Sequence, residues 1–161
     1  MELKSLGDLA AHLVGIEAGM LKHLEAGLED CAVRLEQTMK AEIGHYQAGI
    51  GPFEAWADLA DSTEASKAAN GYPADSPLRA NGDLAESFTH TTHGLETVVG
   101  STDPVMVYHE FGTPKMPPRN VVGAALLRNK EYIRRRIGHA ATSGLIGGNP
   151  IHASLGYDGE T

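Results

Sequence analysis

Tyr108-His-Glu-Phe-Gly-Thr-Pro-Lys-Met-Pro-Pro-Arg119 joins a β-branched run ending in Val98-Val99-Gly100-Ser101 to a basic, helix-like run. Gly112 ends any helix that carries Tyr108 and Phe111. Proline biases the residue before it away from helix, so Lys115–Arg119 reads as extended. The order of residues fits none of the common catalytic motifs. A short helix stopped at glycine, a stiff proline run and a new helix make architecture for joining surfaces. The expected core residues of this element are Tyr108 and Phe111. Arg119, on its proline platform, is expected to hold a fixed carboxylate of the body or of a neighbour, Glu110 being one candidate.

Upstream of it, Asp103-Pro104 is a helix start, an N-cap followed by proline at the first helical position. Phe88–His93 and Leu95–Ser101 are rich in threonine and valine and read as a hairpin turning at His93-Gly94. Residues 78–88 suit a short helix starting near Asn81 or Asp83. From 44 to 77 periodicity vanishes, and Gly-Ile-Gly-Pro at 49–52, Asn70-Gly71-Tyr72-Pro73 and Ser76-Pro77 mark turns. A short helix fits Phe53–Leu59 with Trp56 as its anchor. So long a connection is either functional or disordered, and the expectation is an arm that orders against a partner.

Residues 6–46 read as one long helix. Leu9, Leu13, Ile16, Met20, Leu24, Leu28, Cys31, Leu35, Met39 and Ile43 recur at steps of three and four. Such a helix, about 57 Å long at 1.5 Å per residue, exceeds what one small domain covers, so part of it is expected to meet another chain. Ala11, Gly15 and Gly19 lie four apart. They either admit a close backbone or kink the helix, since each interior glycine costs about 1 kcal/mol relative to alanine. Downstream, a basic helix covers 121–139. The chain is thus expected to be one α+β domain over 1–142, comprising the long helix 6–46, the irregular arm 44–77 and the sheet and helices of 78–142. A flexible tail is expected over 143–161.

Charge is segregated. Residues 1–114 hold 6 basic and 18 acidic side chains, net −12, while 115–139 hold 7 and 1, net +6. The basic segment could grip nucleic acid, but an acidic body repels phosphates at other approaches. Docking on the acidic face of a neighbouring copy is the preferred reading, with Arg128, Lys130, Arg134, Arg135, Arg136 and Trp56 as expected subunit-interface residues. The single cysteine, Cys31, excludes an intramolecular disulfide and sits among helical apolar positions, where a free thiol packs as a small hydrophobe. Glu2, Lys4 and Asp8 precede any apolar run, which is no secretory signal, and no window has the roughly 18 apolar residues that span a bilayer. A soluble protein made in a cytoplasm is expected.

Catalytic, metal and cofactor sites are not expected. His90 and His93 are three apart in a strand and point to opposite faces. His109-Glu110 lacks the second histidine of His-Glu-x-x-His, Thr113 standing in its place. There is no Gly-x-Ser-x-Gly, and Gly-Leu-Ile-Gly-Gly at 144–148 lacks the lysine of a phosphate loop. The expected protein is not an enzyme; the rival classes are a small DNA-binding or regulatory module using residues 115–136 and a hydrolase with an unrecognised histidine site.

Four segments in order carry a family likeness. Arg79-Ala-Asn-Gly-Asp-Leu-Ala-Glu-Ser-Phe88 is similar to the Gly-x-Leu-x-x-Ser segment of tailed-bacteriophage head–tail joining and tail-completion proteins, and Thr97-Val-Val-Gly-Ser101 to their Val-x-Val-Gly strand. Tyr108-His-Glu-Phe-Gly-Thr113 resembles their Tyr-Ala-x-x-x-Glu-Phe-Gly-Thr turn and Met116-Pro-Pro-Arg119 their Pro-Ala-Arg platform, which marks Tyr108, Glu110, Phe111, Gly112, Thr113, Pro118 and Arg119 as the structural motif. Trp56 to Lys67, with Leu59 and Thr63, resembles a stretch of Mu-like virion-morphogenesis proteins. Asn120-Val121, where the family has Pro-Phe, and His109, where it has alanine, depart from the pattern. The resemblance implies a long N-terminal helix, a small antiparallel sheet and a C-terminal helix packed on it. It also implies a virion neck or tail protein assembled in the host bacterial cytoplasm as a ring, expected to be a hexamer. Its partners would be the portal, adaptor or stopper proteins and the tail tube protein. DNA would pass only as the genome, and no membrane would be involved.

Overall fold

Helix α1 is unbroken from Leu6 to Glu42 in the computed structural model, which describes residues 5–146. It is therefore about 55 Å long. Its end is set by Gly44, whose φ of 94° is costly for any residue with a Cβ, and whose N–H donates to Pro77 O at 2.8 Å. Only the second half of the apolar stripe is covered: Cys31, Leu35, Met39 and Ile43 are buried, whereas Leu9 and Leu13 are exposed.

The remaining elements are α2 (Asp61–Ala69), α3 (Asp83–Glu86), β1 (Phe88–His93), β2 (Glu96–Ser101), α4 (Val105–Phe111), α5 (Val122–Arg128) and α6 (Lys130–Leu145). The class is α+β: a long N-terminal helix, a two-stranded antiparallel sheet and a C-terminal helix packing on it. The hairpin turns at Gly94-Leu95, one residue later than expected, because Gly94 takes the left-handed φ of 58°. Facing hydroxyls tie its strands, Thr92 to Thr97 at 2.8 Å, and the Ser87 hydroxyl just before β1 meets that of Ser101 at 2.7 Å. No helix among the described residues is long and apolar enough to cross a membrane.

Two compact units result, one of Met1–Ala32, Thr91–Thr97 and Glu131–Thr161, the other of Val33–His90 and Val98–Lys130. In the first, α1 and α6 approach closely through glycine. A Cβ on Gly27 would lie 2.8 Å from that of Ala140, and one on Gly144 would strike the backbone of Met20. The close approach is made at Gly27 and Gly144 rather than in the Ala11-Gly15-Gly19 stripe, where α1 is unbroken, Gly15 has open space and Gly19 makes only ordinary contact with Gly144 O at 3.7 Å. Arg136 Nε donates to Asp30 Oδ2 at 2.6 Å and adds a second bond through Nη2. Helix α6 continues through Ser143, Gly144 and Leu145, where the sequence suggested the tail; residues 147–161 lie outside the described residues.

The second unit buries Met39, Trp56, Phe88, Met106, Val121, Ala124 and Ala125. Two expectations change here. Residues 53–59 form no helix, and the helix comes later, as α2. The basic helix breaks at Asn129 (φ −97°, ψ 4°), giving α5 and α6. That asparagine is buried, accepts from Arg34 Nε at 3.2 Å, and donates to Thr38 Oγ1 at 3.0 Å and Ala125 O at 2.9 Å. The segment 44–77 contains α2 and is tied to its own unit at several points. Ser76 Oγ holds Gly44 O at 3.0 Å, Trp56 N holds Gln47 O at 3.0 Å, and Arg128 Nη2 holds Ala48 O at 3.0 Å.

Candidate functional site

The run 108–119 works as a latch in the second unit. Helix α5 begins at Val121-Val122-Gly123, where no residue has a side chain able to cap the free N–H groups. Glu110, on α4, supplies the cap from eleven residues upstream. Its Oε2 accepts from Val121 N at 2.7 Å and Val122 N at 3.0 Å, and its Oε1 from Gly123 N at 3.0 Å. A negative charge at a helix N-terminus also meets the positive end of the helix dipole.

Arg119 is 5% exposed and takes no carboxylate. Its N–H donates to His109 O at 2.7 Å, and its Nη2 to Ala57 O at 2.9 Å and Asp58 O at 3.5 Å. The guanidinium, planar and rich in donors, ties the 57–58 backbone to the proline platform. Glu110 is therefore a cap, not the partner of Arg119. Burial, reinforced by the Arg119 charge, lowers the pKa of His109 and favours its neutral ring. Gly112 (φ 72°, ψ 178°) makes the sharp exit from α4, and a Cβ there would lie 2.9 Å from Met116 O and Pro118 N. Thr113 and Met116 exchange backbone hydrogen bonds of 2.8 and 3.0 Å across Pro114-Lys115, closing the turn. The carboxylate of Glu110 and the Nη2 of Arg119 hold chain to chain, while His109 Nδ1 and Arg119 Nε are buried with no protein partner.

Tyr108 and Phe111 are not in the core. They are 59% and 79% exposed, and Met106 is the buried side chain of α4. The helix turns its Met106 side inward, which sends Val105, Val107, Tyr108 and Phe111 into solvent. Beside them, residues 111–118 form an open groove of about 570 Å³. A second exposed apolar region lies on α1, where Leu6 (86% exposed), Leu9, Leu13 and Val14 protrude and every residue from 5 to 15 is exposed. Sequence periodicity flagged α1 but could not show which half was bare. Nothing in the sequence pointed to the exposure of α4, since a seven-residue helix offers too few turns to define a face.

The basic residues divide by use. Arg128 pairs with Glu42 and Ala48, and Arg136 with Asp30; Arg134 pairs with Glu131 at 3.0 Å in an exposed bridge worth little. Lys130 and Arg135 are exposed. Trp56 is 6% exposed and donates from Nε1 to Asn120 O at 3.3 Å, so it anchors its own unit. The sequence missed Glu42. It is buried, its Oε1 accepts from Arg128, and its Oε2 has no protein partner. Burial pushes its pKa up to about 7 against the opposing pull of Arg128, and the nearby Glu110 charge adds to the rise. His90, on β1, bonds Glu36, which also pairs with Lys40 at 2.8 Å. Burial likewise raises the pKa of the Cys31 thiol, which disfavours the nucleophilic thiolate. Among the described residues no three His, Cys, Asp or Glu side chains gather to hold a metal ion. No family model, curated protein or solved structure matches the chain.

Proposed function

We propose that this chain is a non-enzymatic structural subunit of a tailed phage or phage-like particle. Identical copies would form a ring, six in number, at the head–tail junction or the top of the tail. There the ring would connect the portal side to the tail tube. The observation that carries the reading is the exposure of large apolar side chains in two separate places, the first turns of α1 and the outward side of α4. Such surfaces on a soluble chain mark association sites. The ordered family motifs of residues 79–119 supply the virion setting, and the latch accounts for their chemistry without a reaction. Contacts to acidic residues of a neighbour fall to Lys130, Arg134 and Arg135, because Arg128 and Arg136 already have buried or half-buried partners in the chain. The same pairing weakens the DNA-binding alternative, which needs those charges free.

Electron micrographs of particles lacking this protein test the role. Separate full heads and tails are expected for a joining protein, and abnormally long tails for a terminator. Normal, infectious particles would reject both.

A further inference from the structure

We infer that the first turns of α1 in one copy seat in the groove of residues 111–118 of the next copy, supplying the head-to-tail contact of the ring. The inference rests on the ring reading and names the surfaces that would make it.

The insert has the form that grooves recognise. Leu6, Leu9 and Leu13 follow the i, i+3, i+7 spacing with which an amphipathic helix anchors in an apolar groove. All three are exposed, and with Val14 they leave this end of α1 without cover from its own unit. The receptor is stiff and sets apolar side chains beside Thr113 and Lys115. Phe111, Pro114, Pro117 and Pro118 are exposed around an open volume of about 570 Å³, and Tyr108 extends the apolar surface along α4. Prolines and a turn closed by two backbone bonds keep that shape fixed before binding, which spares ordering entropy.

Charge favours the same pairing. The exposed stretch 5–15 contains Asp8 and no lysine or arginine, while 111–118 contains Lys115 and no acidic residue. A second copy is the occupant these facts select. Each chain carries one insert and one receptor on different residues, so each can give one contact and accept one, the requirement for a closed heterologous ring.

Two variants separate the surfaces: Leu13→Asp spoils the insert and Phe111→Asp spoils the receptor. Both positions are exposed, so the fold should survive, and an unchanged helical circular dichroism spectrum checks that it has. Native mass spectrometry should find wild-type rings, with each variant's association weakened by roughly 30-fold or more, as for loss of an interface anchor. Mixing the variants should then restore one contact, from the intact insert of Phe111→Asp into the intact receptor of Leu13→Asp. The expected product is a 1:1 pair that grows no further. Rings formed normally by either variant would overturn the inference while leaving the ring reading intact, as would a mixture that yields no pair. A wild-type chain that stays monomeric would end both together.

Discussion

Glu110 shows how much of this fold turns on single side chains whose partners are distant in sequence. Its carboxylate receives three N–H groups of α5, which would otherwise face a helix start made of Val, Val and Gly. Replacing it by alanine should cost about 2 kcal/mol, the order of a lost helix cap with charged hydrogen bonds. Thermal unfolding checks this, and a midpoint unchanged from wild type would show the cap to be idle. The residue was legible as part of a Glu-Phe-Gly-Thr motif, but its task was not, because an acidic side chain and the helix it caps are joined only by the fold. Gly144 and Gly15 make the complementary case. Helix propensity alone predicts that either gains up to about 1 kcal/mol on becoming alanine. At Gly15 nothing lies within 4 Å, so that gain should appear. At Gly144 the new methyl would meet the Met20 backbone, which cannot step aside, and overpacking costs of about 1–3 kcal/mol outweigh the gain. Opposite signs in a melting comparison are expected; two stabilising substitutions would contradict the close approach.

Among the elements, those with long periodic patterns were the most legible. α1, the hairpin and the Asp103-Pro104 start of α4 lie where propensity and capping placed them, with ends moved by a few residues. The segment 44–77 shows no periodicity, and the contacts that hold it come from donors on Trp56, Arg119 and Arg128 and from the Ser76 hydroxyl, none of which leaves a periodic trace. The break between α5 and α6 was equally hidden, since Asn129 gains its hold from Arg34 and Thr38 on α1. The junction of α1 with α5 also carries a pH dependence. Glu42 has a folded pKa of about 7, raised from 4.5. Folding therefore favours its protonated form, and the stability it contributes is full below about pH 4.5 and lost as pH rises toward and through 7. Stability measured by denaturant across this window should fall with pH by an amount on the order of 2 kcal/mol more in wild type than in Glu42→Gln. Equal slopes in the two proteins would mean that Arg128 keeps the carboxylate ionised throughout.

At the scale of the whole molecule, large apolar side chains lie bare in two separate places, and the proposed assembly is built on them. Glu110 and the Arg119 Nη2 fasten chain to chain at the family-like motif, whereas α4 and the first turns of α1 leave Phe111, Tyr108, Leu6 and Leu13 in solvent. The segregated charge does not reveal that Arg128 pairs with Glu42 and Arg136 with Asp30, each within its own unit. The mass of the purified wild-type protein in solution, by sedimentation or native mass spectrometry over a range of concentrations, tests the central claim most directly. Self-assembly predicts a closed oligomer, roughly 100 kDa for six copies of the 17.1 kDa chain, that persists on dilution. A single species at the mass of one chain, at every concentration, would contradict it.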